Sequence, residues 1–143
     1  MISIVKTDLY ILNTRTRMPF RYGIATMTAS PMIFVRVELE DGGRREHGVA
    51  GDLLAMKWFT KDPDTTYCDD ITDMLGVIRA AAAHAGEIGD AATVFDFWRQ
   101  LYKTQADWGA SKGLPPLLTS FGTSLIERAV IDAFCRIHQV TFR

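Results

Sequence analysis

Histidine and cysteine side chains are the usual means of binding a metal or attacking a substrate, and this sequence has few of them. It contains three histidines and two cysteines, which are His47, His84, His138, Cys68 and Cys135. The histidines lack the spacing of a metal motif such as H-E-x-x-H, and the cysteines form no C-x-x-C pair. We expect no metal site and no disulfide. His47 has no carboxylate partner at a defined spacing, so we interpret it as a surface residue rather than an acid or base.

Length and charge exclude several classes of function. The chain has 143 residues, about one domain, and its 16 basic and 17 acidic residues leave it nearly neutral. Near neutrality disfavours nucleic acid and anionic membrane as partners. The start, Met1 to Lys6, lacks the basic and apolar regions of a signal peptide, and no apolar run approaches the length of a membrane span. We expect a soluble, cytoplasmic protein.

The first third of the chain has the alternating pattern of β-strands. Apolar and polar residues alternate most clearly from Met32 to Glu40, which predicts a strand with one buried face. Strands are also predicted from Ile2 to Leu12 and from Arg45 to Gly51. The residues Asp41-Gly42-Gly43 favour a tight hairpin between the last two strands. The pattern predicts a three-stranded antiparallel meander.

The remainder has helical periodicity. One helix is predicted from Asp69 or Asp70 to Gly86, and a second after Thr93, with Phe97, Trp98 and Tyr102 in the core. Residues 109–122 contain three glycines and Pro115-Pro116 and are predicted to form a loop. The last helix is predicted from Ser124 to Arg136, opened by the Ser124/Glu127 capping box. Arg128 with Asp132, and Asp132 with Arg136, are placed one turn apart. Strands followed by a bundle of three or more helices indicate an α+β fold.

Three ordered segments resemble one known domain. They are "MPFRYGIATMTASPMIFVRVELEDG" (Met18 to Gly42), "GVAGDLLAMKWFTKDP" (Gly48 to Pro63) and "SLIERAVIDAFCR" (Ser124 to Arg136). The sequence resembles the N-terminal capping domain of the enolase superfamily, in the branch of mandelate racemase and muconate lactonizing enzyme. Residues 1–143 would form a single domain of this type.

The resemblance implies an activity that belongs to another domain. Enzymes of this family remove a proton next to a substrate carboxylate and hold the product enediolate on magnesium. Their bases and metal ligands come from a C-terminal barrel, which needs about 200 residues or more and cannot fit in this chain. The resemblance therefore assigns this chain no catalytic residue and no cofactor, since magnesium belongs to the barrel. Alone, the chain is expected to be inactive. An intact parent would be a magnesium-dependent racemase, dehydratase or cycloisomerase.

What the resemblance assigns to the capping domain is enclosure of a small carboxylate substrate. Two flexible loops, 14–30 and 50–59, would close over the barrel and exclude water. The side chains that the resemblance places toward the substrate are Arg17, Phe20, Arg21, Tyr22, Lys57 and Trp58. A guanidinium can clamp a carboxylate, and rings can exclude solvent. The plainer alternative is that the arginines are solvated and that Phe20 packs on the domain's own sheet.

The second of these segments carries three further expectations. Asp52 would point toward the 50–59 loop, with a solvated carboxylate as the alternative. Met56 stands where the family pattern favours proline. Of the neighbours Trp58 and Phe59, one is expected to serve the core and the other an interface.

Two other functions remain open. The domain could be a stand-alone interaction or oligomerisation module, or a subunit that pairs with a separately encoded barrel. It could also be an unrelated α+β domain whose loops match by chance. Exposed apolar surface favours a homo-oligomer. The residues predicted to form its contact are Trp58, Phe59, Phe121, Ile137 and Phe142.

Overall fold

Three strands followed by three helices make up residues 1–141, the part of the chain that the computed structural model describes. The elements are β1 (Ile2–Tyr22), β2 (Ala25–Asp41), β3 (Arg44–Leu53), α1 (Tyr67–Glu87), α2 (Val94–Ser111) and α3 (Pro116–His138). The strands form one antiparallel sheet in the order β1-β2-β3. The predicted α+β fold, a meander followed by helices, is confirmed.

Helices α3 and α1 cover one face of the sheet, and α2 packs on those two helices. Along β2, the side chains of Ile33, Val35, Val37 and Leu39 are fully buried, while the residues between them are only partly buried. This is the period of two that the sequence indicated for this strand. The core lies between these side chains and the inner faces of the three helices.

The first two strands are longer than predicted. β1 continues ten residues beyond Leu12, and β2 already begins at Ala25. Residues 14–30, which we call the hairpin arm, are therefore two paired strands joined by a tight turn. The segment predicted as a loop is a β-hairpin. Threonine hydroxyls stabilise the pairing, since Thr14 donates to the carbonyl of Ser30. The register shifts between the pairs Arg15/Ala29 and Phe20/Met27, so the arm has an irregularity at mid-length.

The last helix begins eight residues before the predicted start. α3 starts at Pro116, so the predicted loop 109–122 is helical except for a short turn after Ser111. Proline at the first helical position needs no amide partner, which is why Pro115-Pro116 starts this helix instead of breaking it. Ser124 is inside the helix and its hydroxyl donates to the carbonyl of Phe121. The Ser124/Glu127 capping box was therefore a wrong prediction.

The other two helices begin at threonine caps. Thr66 and Asp69 form a full capping box, so α1 starts at Tyr67, slightly earlier than predicted. Thr93 accepts a hydrogen bond from the amide of Asp96, as predicted for the second helix. Phe97 is buried as predicted.

The remaining α2 aromatics behave differently from the prediction. Tyr102 is exposed, and its ring stacks on that of Trp98 with centroids 5.4 Å apart. Trp98 is only partly buried. Their helical spacing matched a core stripe, but Trp98 lies at the edge of the core beside Glu127 of α3, and Tyr102 is open to solvent.

Helix α3 lies very close to β3. A methyl group at Gly48 would overlap the carbonyl oxygen of Ala129 and the amide nitrogen of Ala133. A hydrogen bond holds the helix against the strand at this point, since Asp132 of α3 accepts from the amide of Val49. Glycine is required here because no side chain fits between strand and helix.

The predicted ion pairs of α3 are only partly formed. Arg136 contacts Asp132 at 3.1 Å, as predicted. Arg128 contacts Asp52 of β3 at 2.9 Å instead of Asp132. Among the helices within residues 1–141, none is both long and apolar enough to cross a membrane.

Candidate functional site

Three of the predicted site residues form an aromatic cluster at the tip of the hairpin arm. The rings of Phe20 and Tyr22 lie 5.7 Å apart, and the ring of Trp58 meets Tyr22 edge to face at 5.9 Å. Phe20 and Trp58 are each 57% exposed. Two chain segments more than thirty residues apart therefore present their rings side by side.

Local geometry explains this placement. Phe20 and Tyr22 are two residues apart on β1, so their side chains share a face of the hairpin. Gly23, with φ 51°, takes the left-handed conformation that the tight turn needs. The Tyr22 hydroxyl then donates to the carbonyl of Met56 at 2.7 Å, which ties the arm to the segment after β3. Partial burial, with the carboxylate of Asp70 nearby, raises the pKa of Tyr22.

The Tyr22–Trp58 pair separates two concave surfaces. One has a volume of about 370 Å³ and is lined on its far side by Met27, Leu53 and Phe121. The other, also about 370 Å³, lies toward Ile24 and Leu117. Each is large enough for a small organic molecule, and both are open to solvent. Met27 was not predicted, and its cross-strand pairing with Phe20 is what brings it here.

Lys57 lines the second concavity, but its ammonium is bonded within its own domain. Its side chain is only 8% exposed, and its ammonium donates to Asp62 O and to the carbonyl and hydroxyl oxygens of Thr65. The carboxylate of Asp70 lies 3.6 Å from the same ammonium. With its donors engaged in this way, Lys57 has a structural role here, and its assignment to the substrate stays a prediction.

The backbone of Lys57 is also constrained. It adopts φ 56°, which is uncommon for a residue other than glycine. Its amide donates to Asp70 at 2.9 Å, so one carboxylate fixes both the backbone and the ammonium of this residue. The β3–α1 loop, residues 54–66, is thereby attached to the first turn of α1.

A second attachment holds the start of this loop. The buried Ser30 hydroxyl donates to the carbonyl of Leu54 at 3.1 Å, and the amide of Leu54 donates to Pro31 O at 2.9 Å. Residues 50–53 of the predicted second loop belong to β3. The irregular segment is thus 54–66, and it is bonded to β2 at one end and to α1 at the other.

Arg17 and Arg21 are exposed and border neither concavity. Arg21 follows Phe20 directly on the strand, so its side chain leaves the opposite face of the hairpin. Arg17 lies within the register irregularity. Their assignment to a substrate carboxylate stays a prediction.

Asp52 has a partner other than the one expected. It lines the concavity beside Phe20 but pairs with Arg128 of α3 at 2.9 Å. It therefore links the sheet to the last helix, while its side chain stays 44% exposed to solvent.

Most residues predicted for an oligomer contact are inside the domain. Phe121 and Ile137 are buried in the core, at 7% and 3% exposure. Phe59 packs on Phe121 with ring centroids 4.7 Å apart, whereas Trp58 is exposed, so the neighbouring pair divides between core and surface. Phe142 lies outside the described residues. Of the four that lie within residues 1–141, only Trp58 is on an open surface.

Other parts of the molecule collect no predicted site residue. Across residues 1–141, no three histidine, cysteine, aspartate or glutamate side chains come close enough to hold a metal ion. A wider concavity of about 820 Å³ borders the second half of α3. Its Asp132 is already engaged by Arg136 and by the amide of Val49.

Comparison with known proteins identifies the fold. No protein-family model matches the sequence, and no curated protein matches it. Several solved structures are similar, among them two enolases. One is an enolase from the alphaproteobacterium BAL199 with bound magnesium, at 16% identity and a TM-score of 0.63, covering 95% of this chain and 32% of that one. The other is an enolase from Bradyrhizobium complexed with magnesium and mandelic acid, at 13% identity and a TM-score of 0.56, covering 96% and 32%.

The TM-scores show a common fold, and at these identities they do not show a common activity. The chain spans about a third of the length of each similar structure. The resemblance on which the fold was predicted is thereby supported in three dimensions. The chain has the fold of about one third of each of these two enolase structures.

Proposed function

We propose that this chain is a substrate-enclosing capping domain that works with a barrel of the mandelate racemase and muconate lactonizing enzyme type. The observation that carries the proposal is the aromatic cluster of Phe20, Tyr22 and Trp58. It brings the two predicted lid segments together on one exposed rim. A lid needs an apolar surface that can exclude water from a bound substrate, and this rim supplies one.

The contribution of the chain would be enclosure and orientation. The rings of Phe20 and Trp58 would cover an apolar part of the substrate. The Tyr22 hydroxyl, already bonded to Met56 O, would keep the arm and the loop at a fixed spacing. Arg17 and Arg21 would carry positive charge to the rim, where they can attract a carboxylate.

Magnesium would be supplied at the barrel. The residues described here offer no group of three metal-ligating side chains, so they do not fit the metal, and no step of a reaction is assigned to it. The magnesium and mandelic acid of the similar structures belong to those proteins. For this chain we therefore propose only the class of substrate, which is a carboxylate.

A second function is favoured by one observation. The tip of the arm is exposed at Ile24 as well as at Phe20, by 67% and 57%. Such a tip would also suit a stand-alone interaction module, or a subunit that docks on a separately encoded barrel. The gene distinguishes a capping domain from a subunit. A barrel encoded in the same reading frame supports a capping domain of one chain, and a separately encoded barrel supports a subunit.

The test combines this chain with the barrel that is encoded in the same reading frame or by the separate gene. Magnesium-dependent exchange of the α-proton for deuterium is followed by NMR across hydroxy acids, acid sugars and dipeptides. We expect no exchange with the chain alone, exchange with the barrel present, and a marked loss for Trp58→Ala. Phe95→Ala is the matched control, because Phe95 is an exposed aromatic on α2 that borders neither concavity. Exchange by the chain alone, or equal effects of the two variants, would overturn the proposal.

A further inference from the structure

The outer edge of β1 is long and open. β1 pairs with β2 on one side, and on the other side its backbone bonds only at Ile2, which exchanges two 2.9 Å hydrogen bonds with Ala91. Across the described residues, no other backbone group pairs with this edge. Exposed edges of this length are usually interrupted or covered, because their free amides and carbonyls pair readily with another strand.

The middle of this edge lacks the features that normally protect one. From Lys6 to Arg15 the pairing with β2 keeps one unbroken register, without a bulge. The six residues from Leu9 to Thr14 contain no charge and no proline. Within them Tyr10, Ile11 and Leu12 are 49%, 50% and 56% exposed, so apolar side chains are open on both faces of the strand.

We propose that this edge pairs with the same edge of a second copy of the chain. The two copies of β1 would run antiparallel about a two-fold axis perpendicular to the sheet, which would join two three-stranded sheets into one of six strands. Such an axis keeps the helices of both copies on the same face. Residues that face each other must then be an even number of positions apart in sequence, so the axis passes through a residue and not between two.

An axis through Ile11 gives the best match. It places Ile11 opposite itself on the helix face and Tyr10 opposite Leu12 of the second copy on the outer face. Both apolar faces are then continuous across the junction. An axis through Tyr10 would instead place Asp8 opposite Leu12, which puts a carboxylate against an apolar side chain.

The charged side chains along β1 are also compatible with a second copy in this register. Asp8 would face Thr14, and Arg15 would face Thr7, so no two like charges meet directly. Asp8 is already neutralised within its own chain by Lys6 and Arg36, at 2.9 Å and 2.8 Å. These pairs lower the pKa of Asp8, first through Lys6 and then through Arg36.

The pairing leaves the candidate site open. In this register residue 16 faces residue 6 of the second copy. Residue 20 faces Ile2, whose outer edge is already bonded to Ala91, and residues 21 and 22 extend beyond the start of that strand. The aromatic cluster would therefore project from each end of the joined strands. The proposal does not depend on the proposed function and can fail or stand separately.

Disulfide crosslinking tests the register. In a chain with Cys68→Ser and Cys135→Ser, Ile11→Cys should crosslink to itself under oxidised glutathione, since facing Cα atoms lie about 4.5–5.5 Å apart. Tyr10→Cys alone should not, because two copies of residue 10 would be diagonal and about 8 Å apart. A mixture of Tyr10→Cys and Leu12→Cys chains should crosslink to a heterodimer.

Sedimentation velocity tests the association. Wild type should show a dimer that dissociates on dilution, and Ile11→Lys should weaken it on the order of tenfold or more by placing two charges on the axis. Leu53→Lys is the matched control: it adds the same charge on β3, at a residue that is 38% exposed and away from the proposed edge. Circular dichroism verifies that both variants fold.

Four results would each overturn the proposal: a monomeric wild type at all concentrations, a dimer that Ile11→Lys leaves intact, a dimer in which the Ile11→Cys variant does not crosslink to itself, or open-ended aggregates in place of a dimer.

Discussion

Replacing Asp70 by alanine should release the β3–α1 loop. The carboxylate accepts hydrogen bonds from the amide of Lys57 at 2.9 Å and from the hydroxyl of Thr65 at 3.0 Å. It also lies 3.6 Å from the Lys57 ammonium, and the two side chains are 6% and 8% exposed. At an effective dielectric constant of about 20, charges at this separation attract by about 4–5 kcal/mol. Removing one partner of a buried pair typically costs about 3–5 kcal/mol.

The structure indicates where this cost will appear. The other partners of the Lys57 ammonium, Asp62 and Thr65, are in the same loop, so they can move together with it. Asp70 is the only member of the cluster that belongs to α1. Without it, the loop can open and the ammonium can reach water while the rest of the domain stays folded. Protection of the loop amides should fall between about a hundredfold and a few thousandfold, which corresponds to that range of free energy.

Hydrogen exchange with peptides covering residues 54–66 measures this directly, and a urea titration measures the global stability. Asp73→Ala is the control, because Asp73 is an exposed residue of the same helix, one turn further on. The double variant Lys57→Met/Asp70→Leu should recover much of the protection, since an apolar pair needs no charge compensation. Unchanged exchange in 54–66 together with an unchanged urea midpoint in Asp70→Ala would refute the assigned role of this pair.

Three further predictions follow from the packing and the titrating groups. Gly48→Ala should destabilise the chain by about 3 kcal/mol or more, since its methyl group meets backbone atoms of α3, while Gly76→Ala, with no atom within 4 Å, should gain about 0.5–1 kcal/mol in urea unfolding. Glu127→Gln should stabilise the folded chain at neutral pH, because burial raises the pKa of this carboxyl and disfavours its charged form. Urea unfolding at a series of pH values should show this gain in stability disappear below about pH 4.5. A gain that does not depend on pH would contradict the prediction. Amides in 14–30 and 50–59 should exchange faster than those in 33–39, and equal protection in a monomer would count against lids.

The parts of the fold that could be predicted depend on local patterns. The core strand β2 was found because its alternation is set by burial of one face, and α2 because Thr93 caps it. The start of α3 was missed because two signals competed. Pro115-Pro116 is compatible with a turn or with a helix start, and Ser124-x-x-Glu127 is compatible with a cap or a helix interior. Only the packing of Leu118 and Phe121 into the core selects the longer helix.

The candidate site was predictable to the same extent. Phe20, Tyr22 and Trp58 were assigned by the resemblance, and the strand alternation that puts Phe20 and Tyr22 on one face was missed because the segment was predicted as a loop. The role of Lys57 was not predictable, since its ammonium is bound by Thr65 and Asp70, residues with no pattern that links them to it. The exposed edge of β1 was also missed, because the predicted strand ended at Leu12 and the following residues were interpreted as a loop.

The two segments of the proposed lid are attached to the rest of the domain to different degrees. The β3–α1 loop is bonded to β2 through Ser30 and to α1 through Asp70, so it has a fixed base on both sides. The hairpin arm beyond Arg15 is paired only within itself and with the loop at Tyr22, and the register shift before Phe20 interrupts that pairing. Fewer long-range contacts give a segment a lower free energy of opening. Within the proposed function, the arm is then the part that moves, the irregularity between Arg15 and Phe20 is its hinge, and Trp58 on the anchored loop is the surface against which Tyr22 closes.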